Sequence, residues 1–210
     1  MTELGFVHRF VPATDPDSPV ALLLLHGTGG NEQDLIPLGQ ALLPSAALLS
    51  PRGKVLENGM PRFFRRFAEG VFDIEDLKHR ADELSTFIDQ ARERYSLASK
   101  KLIAVGYSNG ANIAASLILR RPDQISGACL FRAMVPFEPE RTPDLSNLAI
   151  FLGAGQQDPI VPRANTNELA RIFQSGGAAV ALHWHDGGHE LGQDDLEAAK
   201  IWMRKDAIFR

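Results

Sequence analysis

A serine lies between two glycines in residues 106–110, which read Gly-Tyr-Ser-Asn-Gly. The segment follows the apolar run LIAV and precedes an amphipathic stretch, so we expect it to join a strand to a helix. Serine is a poor strand residue and glycine weakens both elements, which indicates that the turn serves chemistry. At such a turn Ser108 would expose its hydroxyl as a nucleophile, and the N–H of Asn109 would face a developing oxyanion. The alternative is a glycine-rich turn in which the serine only caps the helix.

A serine hydroxyl is a weak nucleophile unless a base accepts its proton and an acid orients that base. His189 lies in GGHEL, between a double glycine and the last predicted helix, so its loop could carry it over the serine. Asp158 follows an apolar strand and precedes a proline that keeps it out of helical geometry. We therefore predict a triad of Ser108, Asp158 and His189.

Other side chains offer alternatives to this triad. Asp186 is a rival acid, but it lies so close to His189 in sequence that it would have to bend back tightly. For Asp158 the non-catalytic interpretation is an ordinary Asp-Pro turn. We assign four other histidines to packing or surface positions: His8, His79, His183 and His185.

The glycine-rich segment LHGTGGNE at 25–32 directly follows a predicted strand. Its glycines allow the backbone to turn inward, where a peptide N–H could face the substrate carbonyl. We predict Thr28 as this second oxyanion donor, beside Asn109, with Gly29 as the alternative. Glycine-rich loops also hold phosphates, but the segment matches neither G-x-x-x-x-G-K-[ST] nor G-x-G-x-x-G, so we expect no nucleotide site.

The composition is that of a single folded domain spanning 1–210. The chain has 210 residues, of which 44% are hydrophobic, enough for one core. Its 22 basic and 26 acidic residues give a net charge of −4 without a basic block, which argues against nucleic acid as a main partner. The single Cys129 excludes an intramolecular disulfide, the apolar run at 20–25 is too short for a membrane span, and MTELGFVHRF has no signal-peptide core. We therefore expect a soluble, cytoplasmic protein.

Apolar runs alternate with amphipathic segments along the chain, and several of the runs are apolar throughout. This pattern is typical of parallel strands that are buried on both faces and covered by helices on each side. The predicted fold class is therefore α/β, with a mostly parallel central sheet. The predicted strands are 6–11, 20–25, 46–49, 102–105, 125–131, 148–152 and 178–184, and the predicted helices are 33–43, 74–95, 110–121, 163–175 and 193–205.

Two long segments without a clear period, 51–72 and 132–147, follow predicted strands. Ligands bind beyond the carboxyl ends of the strands in such sheets, so we expect these segments to form the substrate cleft. Alternatively, their aromatic side chains anchor them to the sheet and their arginines pair with nearby glutamates. Neither segment is long enough for a separate lid domain, which predicts an open, shallow cleft. The predicted substrate-binding residues are Phe63, Phe64, Arg132 and Met134.

These segments together resemble the α/β-hydrolase superfamily over nearly the whole chain. More narrowly, the chain is similar to the small bacterial carboxylesterase/phospholipase-type serine hydrolases of the MhqD/YahD-like group, relatives of acyl-protein thioesterases and dienelactone hydrolases. The resemblance implies a single-domain α/β-hydrolase fold, with Ser108 as nucleophile, Asp158 as acid and His189 as base. It rests on LHGTGGNEQDL at 25–35, SPRG at 50–53, FFRRFAEGVFD at 63–73, VGYSNGANIA at 105–114, FRAMVPF at 131–137, GAGQQDPIVP at 153–162 and GGHEL at 187–191.

The chain departs from dienelactone hydrolases at one important position. Those enzymes carry cysteine as the nucleophile, whereas this chain has Ser108 there and Cys129 inside a predicted strand. We therefore expect a serine hydrolase of small carboxylic esters that needs neither metal nor cofactor. Thioesterase or lysophospholipase activity is the alternative among enzymes, and a non-catalytic scaffold that binds a small ligand is the alternative outside them. Relatives often form dimers, so the resemblance also implies that apolar residues near 131–137 could form the interface of a homodimer.

Overall fold

The computed structural model describes residues 4–204, in which seven strands form one central sheet. Two short hairpins lie between the third strand and the second helix, and one 3₁₀ turn spans Pro122–Gln124. The strands are β1 (His8–Val11), β2 (Val20–Leu25), β3 (Ala47–Pro51), β4 (Val55–Glu57), β5 (Met60–Arg62), β6 (Arg66–Ala68), β7 (Val71–Phe72), β8 (Lys101–Tyr107), β9 (Gly127–Phe131), β10 (Ala149–Gly155) and β11 (Ala179–His185). The helices are α1 (Ile36–Leu42), α2 (Ile74–Arg94), α3 (Asn109–Arg120), α4 (Arg163–Ser175) and α5 (Gln193–Met203).

The central sheet has the order β1-β3-β2-β8-β9-β10-β11. β1 runs antiparallel to β3, and every other neighbouring pair in this sheet is parallel. The carboxyl ends of β2, β8, β9, β10 and β11 therefore meet at one edge, where the segments that follow them can share a site.

The central strands are apolar throughout because both faces of the sheet are covered. In β2, Ala21, Leu23 and Leu25 pack into one core cluster, whereas the alternate residues pack into the other. Successive side chains of a strand point to opposite faces, so a strand covered on both sides needs apolar residues at every position. One cluster also contains side chains from α2, α3 and α4, and the other contains side chains from α1 and α5.

The structure confirms the predicted α/β class and places an element at each of the predicted strands and helices. The main difference concerns the segment 51–72, which contains the hairpins β4-β5 and β6-β7 instead of irregular structure. Their strands are only two or three residues long, too short to show a period of two, and left-handed residues close both turns: Asn58 and Gly59 in the first, Gly70 in the second. Within residues 4–204, no helix has the length and apolar character needed to cross a membrane.

Candidate active site

Ser108 lies on a strained turn between β8 and α3, with φ 51° and ψ −115°. This conformation strongly disfavours any residue with a Cβ, so the surroundings must hold it in place. The N–H of Ser108 donates to the carbonyl of Phe131 at the end of β9, and its own carbonyl accepts from Asn112 in α3. A Cβ on Gly106 would lie 2.7 Å from the Cα of Ala111, so the first glycine lets the strand and the helix approach closely.

The three residues of the predicted triad form one chain of hydrogen bonds. The Ser108 Oγ lies 2.9 Å from Nε2 of His189, and the His189 Nδ1 lies 2.7 Å from Oδ2 of Asp158. The Asp158 carboxylate is fully buried, and the imidazole is only partly exposed. If Nδ1 carries the proton and donates to the carboxylate, Nε2 is free to accept the serine proton.

The Asp158 carboxylate is fixed by the backbone that follows it. Its Oδ1 accepts hydrogen bonds from the N–H groups of Ile160 and Val161, at 2.8 and 3.0 Å. Oδ2 is thereby left to face His189, so the carboxylate both orients the imidazole and opposes the charge that it gains on protonation.

The rival residues lie elsewhere. The Asp186 carboxylate accepts a hydrogen bond from the Gln156 side chain instead of facing His189. His183 and His185 lie on β11 beside Asp194, which pairs with both. His8 contacts Tyr95 at the opposite sheet edge and His79 is exposed on α2, so these four histidines have the packing and surface positions predicted for them.

The two predicted oxyanion donors border the same cleft as Ser108. Among residues 4–204, neither the N–H of Thr28 nor that of Asn109 donates a hydrogen bond. The N–H of Gly29, the alternative donor, is instead occupied by the carbonyl of Pro61 at 2.9 Å. The geometry therefore favours Thr28 over Gly29 as the partner of Asn109.

His26 holds the loop that carries Thr28. Its ring is buried, with Nδ1 2.6 Å from the carbonyl of Gly27 and Nε2 accepting from the N–H of Gly53 at 3.0 Å. These partners require the neutral ring with its proton on Nδ1. Burial lowers the pKa of His26 below its ordinary value of 6.5, which agrees with that neutral state.

The cleft above Ser108 has a volume of ≈ 230 Å³ and is open to solvent. Both hairpins contribute to its wall, through Arg62 and Phe72 among others. Ligand pockets for drug-sized molecules usually measure about 300–1,000 Å³, so this cleft suits a smaller group. Its lining residues are Thr28, Arg62, Arg66, Glu69, Gly70, Phe72, Tyr107, Ser108, Asn109, Asn112, Arg132, Met134, Ile160, Val161 and His189.

Three of the four predicted substrate-binding residues are corrected by the structure. Phe63 and Phe64 are 2% and 0% exposed and pack in the core beneath the hairpins, which is the anchoring alternative. Arg132 borders the cleft, but its guanidinium is fully buried in an ion pair with Asp195 and cannot meet a substrate. Met134 does line the cleft. Sequence patterns could not separate these cases, because neighbouring residues of an irregular segment point in unrelated directions.

Sequence reasoning did not single out Arg62, which lines the cleft from hairpin β4-β5. For Arg66, which also lines the cleft, it left open a role toward the substrate or an ion pair with a nearby glutamate. The Arg62 guanidinium donates to the hydroxyl of Thr28 at 2.6 Å. Arg62 and Arg66 both form ion pairs with Glu57. Burial lowers the pKa of Arg62, and the nearby charge of Arg66 acts in the same direction. The run PRFFRR marked this segment as unusual, but only the hairpin register shows which of its arginines turn inward.

Cys129 lies fully buried in β9, as expected. Burial raises the pKa of its thiol well above the ordinary value, and the nearby Asp195 carboxylate adds to this effect. A neutral thiol without access to solvent is a poor nucleophile, so Cys129 does not compete with Ser108 as the candidate nucleophile.

The chain is similar to several known proteins over most of its length. A family model described as Phospholipase/Carboxylesterase matches residues 8–206. The inferred hydrolase MhqD of Bacillus subtilis is 50% identical over 184 residues, 88% of this chain and 92% of that protein. The crystal structure of the Bacillus cereus carboxylesterase has a TM-score of 0.92 at 46% identity, covering 95% of this chain and 93% of its own. A structure of YahD with malic acid has a TM-score of 0.88 at 32% identity, and the match covers 94% of this chain and 98% of the YahD chain.

Proposed function

Because this chain belongs to the phospholipase/carboxylesterase family of hydrolases, we propose that it cleaves small carboxylic esters through an acyl-enzyme on Ser108. The single observation that carries this proposal is the hydrogen-bonded chain from Ser108 through His189 to Asp158. A partnered serine at a strained turn is activated as a nucleophile, whereas a serine that only caps a helix needs no such partners.

The proposed reaction begins when Ser108 Oγ attacks the ester carbonyl and its proton passes to Nε2 of His189. Asp158 stabilises the imidazolium that forms and holds its ring in orientation. His189 then gives the proton to the oxygen of the leaving alcohol, which departs and leaves the acyl group on Ser108. Water, deprotonated by His189, attacks this acyl group. The bond from the acyl carbon to Ser108 Oγ then breaks, His189 returns the proton to Oγ, and the carboxylic acid is released.

In this proposal the N–H groups of Thr28 and Asn109 stabilise the negative charge on the carbonyl oxygen. Neither group has an acceptor among the described residues, so both can meet the oxyanion without breaking an existing bond. Donors that are already in place need no reorganisation during the reaction, which is why such sites contribute strongly to the rate.

The size of the cleft supports small substrates. A volume of ≈ 230 Å³ accommodates a short acyl or alcohol group, and long acyl chains would extend into solvent. The YahD relative was crystallised with malic acid, itself a small molecule. We therefore expect activity to fall as the acyl chain of the substrate is lengthened.

Hydrolysis of p-nitrophenyl esters from acetate to palmitate tests this proposal, with Ser108→Ala beside the wild type. We expect the wild type to prefer the shortest esters and Ser108→Ala to lose on the order of 10⁶-fold in kcat. A fluorophosphonate probe should label the wild type and not the variant. Equal background rates for both proteins together with an unlabelled Ser108 would refute the proposal and favour a scaffold that binds a small ligand.

A further inference from the structure

His189 lies in the loop of residues 186–192, between β11 and α5. Hydrogen bonds from other segments to the backbone carbonyls of this loop hold it in place. Every carbonyl from residue 185 to residue 190 accepts a hydrogen bond from outside the loop. The donors to 185, 186 and 187 come from Gln156 and Gln157, which follow β10. Loops usually leave many carbonyls to solvent, so this loop is bound with unusual completeness.

Arg132 supplies the two bonds that flank the imidazole. Its Nε donates to the carbonyl of Gly188 at 3.1 Å, and its Nη2 donates to the carbonyl of Glu190 at 2.5 Å. The carbonyl of His189 itself accepts from the hydroxyl of Tyr107 at 3.1 Å. One planar guanidinium thus spans the residue on either side of the proposed base.

The charge of Arg132 is balanced by Asp195 in the first turn of α5. Nη1 and Nη2 lie 2.9 and 2.6 Å from the two carboxylate oxygens, and both side chains are buried. The same carboxylate accepts from the N–H of Gly192 at 2.9 Å, at the end of the loop. The ion pair therefore holds the loop at three points: Gly188, Glu190 and Gly192.

The backbone of Arg132 links this clamp to the nucleophile. Arg132 has φ 57° directly after β9, and its N–H donates to the carbonyl of Gly153 in β10. The preceding residue, Phe131, accepts the N–H of Ser108. The end of β9 thereby holds the nucleophile with one residue and the loop of the base with the next.

We propose that Arg132, neutralised by Asp195, is a positioning residue that sets the distance and angle between His189 and Ser108. This inference rests on the proposed function, in which His189 is the general base. Arg132 does not touch the substrate, because its guanidinium has no exposed surface. Its effect on the reaction passes through the carbonyls of Gly188 and Glu190.

Arginine is required here because of its fork of donors. A lysine at this position would retain the charge beside Asp195, but a single ammonium cannot keep the planar geometry that joins two carbonyls and a carboxylate. Arg132→Lys should therefore preserve the ion pair and loosen the loop. Displacing a catalytic group by about 1 Å can cost on the order of 10²-fold in rate.

The test compares Arg132→Lys with the double variant Arg132→Met/Asp195→Asn. The double variant leaves no buried charge unpaired, and the amide oxygen introduced in place of the carboxylate can still accept from Gly192, so the fold is expected to persist. The control is Ile88→Ala, which creates a cavity beside α2 in the core. It should lower the stability of the fold without changing any contact of the loop 186–192. Each protein is assayed for kcat, KM, unfolding midpoint and the low-field NMR resonance of the His189 Nδ1 proton, assigned by its loss in His189→Gln.

We expect both Arg132 variants to lose on the order of 10²-fold in kcat with KM changed only a few-fold, and to broaden or shift the low-field resonance. Ile88→Ala should retain wild-type kcat and resonance despite its lower midpoint. A folded double variant with wild-type kcat and an unchanged resonance would overturn the proposal. If the wild type were inactive toward esters and unlabelled by the probe, the function would fail, and the resonance alone would still test whether Arg132 orients His189.

Discussion

The backbone of Ser108 predicts a stability difference between two inactive variants. Ser108→Ala and Ser108→Gly both remove the hydroxyl and its hydrogen bond to His189, so their difference reports only on the backbone conformation. The observed φ of 51° with ψ of −115° is open to glycine and strained for alanine. The turn cannot relax easily, because Phe131 and Asn112 hold the residue by hydrogen bonds on both sides of its Cα.

The expected magnitude follows from two opposing contributions. A residue with a Cβ held in such a region costs about 1–3 kcal/mol. Glycine restores the freedom of the unfolded chain, which costs about 0.4–1 kcal/mol. The balance leaves Ser108→Gly more stable than Ser108→Ala by about 1 kcal/mol, or about 2–4 °C in Tm for a domain of this size.

Urea unfolding of the two variants, followed by circular dichroism, measures this difference. The same pair of substitutions at Ser116, buried inside α3, is the matched control. In a helix interior glycine is less stable than alanine by about 1 kcal/mol, so the sign should reverse there. If Ser108→Gly proved no more stable than Ser108→Ala while Ser116 behaved as expected, the argument that the nucleophile turn is strained would be wrong.

Three further predictions concern residues around the site. Gly110→Ala should abolish folding or activity, because its Cβ would collide with the backbone carbonyl of Leu25; a soluble, fully active variant would contradict this. Burial lowers the pKa of His26 below 6.5, so the unfolded chain binds its proton more tightly and the free energy of unfolding should decrease as pH falls through and below 6.5. Urea titrations at several pH values should show this slope in the wild type and a flatter one in His26→Gln; identical slopes would count against it. Cys129 should resist iodoacetamide in the folded protein and react after unfolding, since burial raises its pKa; rapid labelling of native protein, seen by mass spectrometry, would disprove that account.

Local chemistry in the sequence determined the elements and the order of the candidate triad. Continuous apolar runs require burial on both faces of a sheet, and glycines around Ser108 have few uses other than a close strand-to-helix turn. Ser108, Asp158 and His189 each follow a predicted strand. Because the carboxyl ends of parallel strands lie at the same edge of a sheet, the sequence predicts that the three residues lie at one edge. These inferences needed only short-range patterns, which side-chain period and turn chemistry encode directly.

Only the tertiary structure decided the roles of residues whose surroundings come from distant segments. The sequence predicted Phe63 and Phe64 as substrate-binding residues, but in the structure both are buried in the core. It also predicted Arg132 as a substrate contact, but its guanidinium is buried in an ion pair with Asp195. The N–H of Gly29 is occupied by the carbonyl of Pro61, which hairpin β4-β5 brings to the loop, and the sequence around Gly29 does not show this contact. Burial and hydrogen-bond satisfaction are properties of the surroundings, and a residue's own type does not contain them.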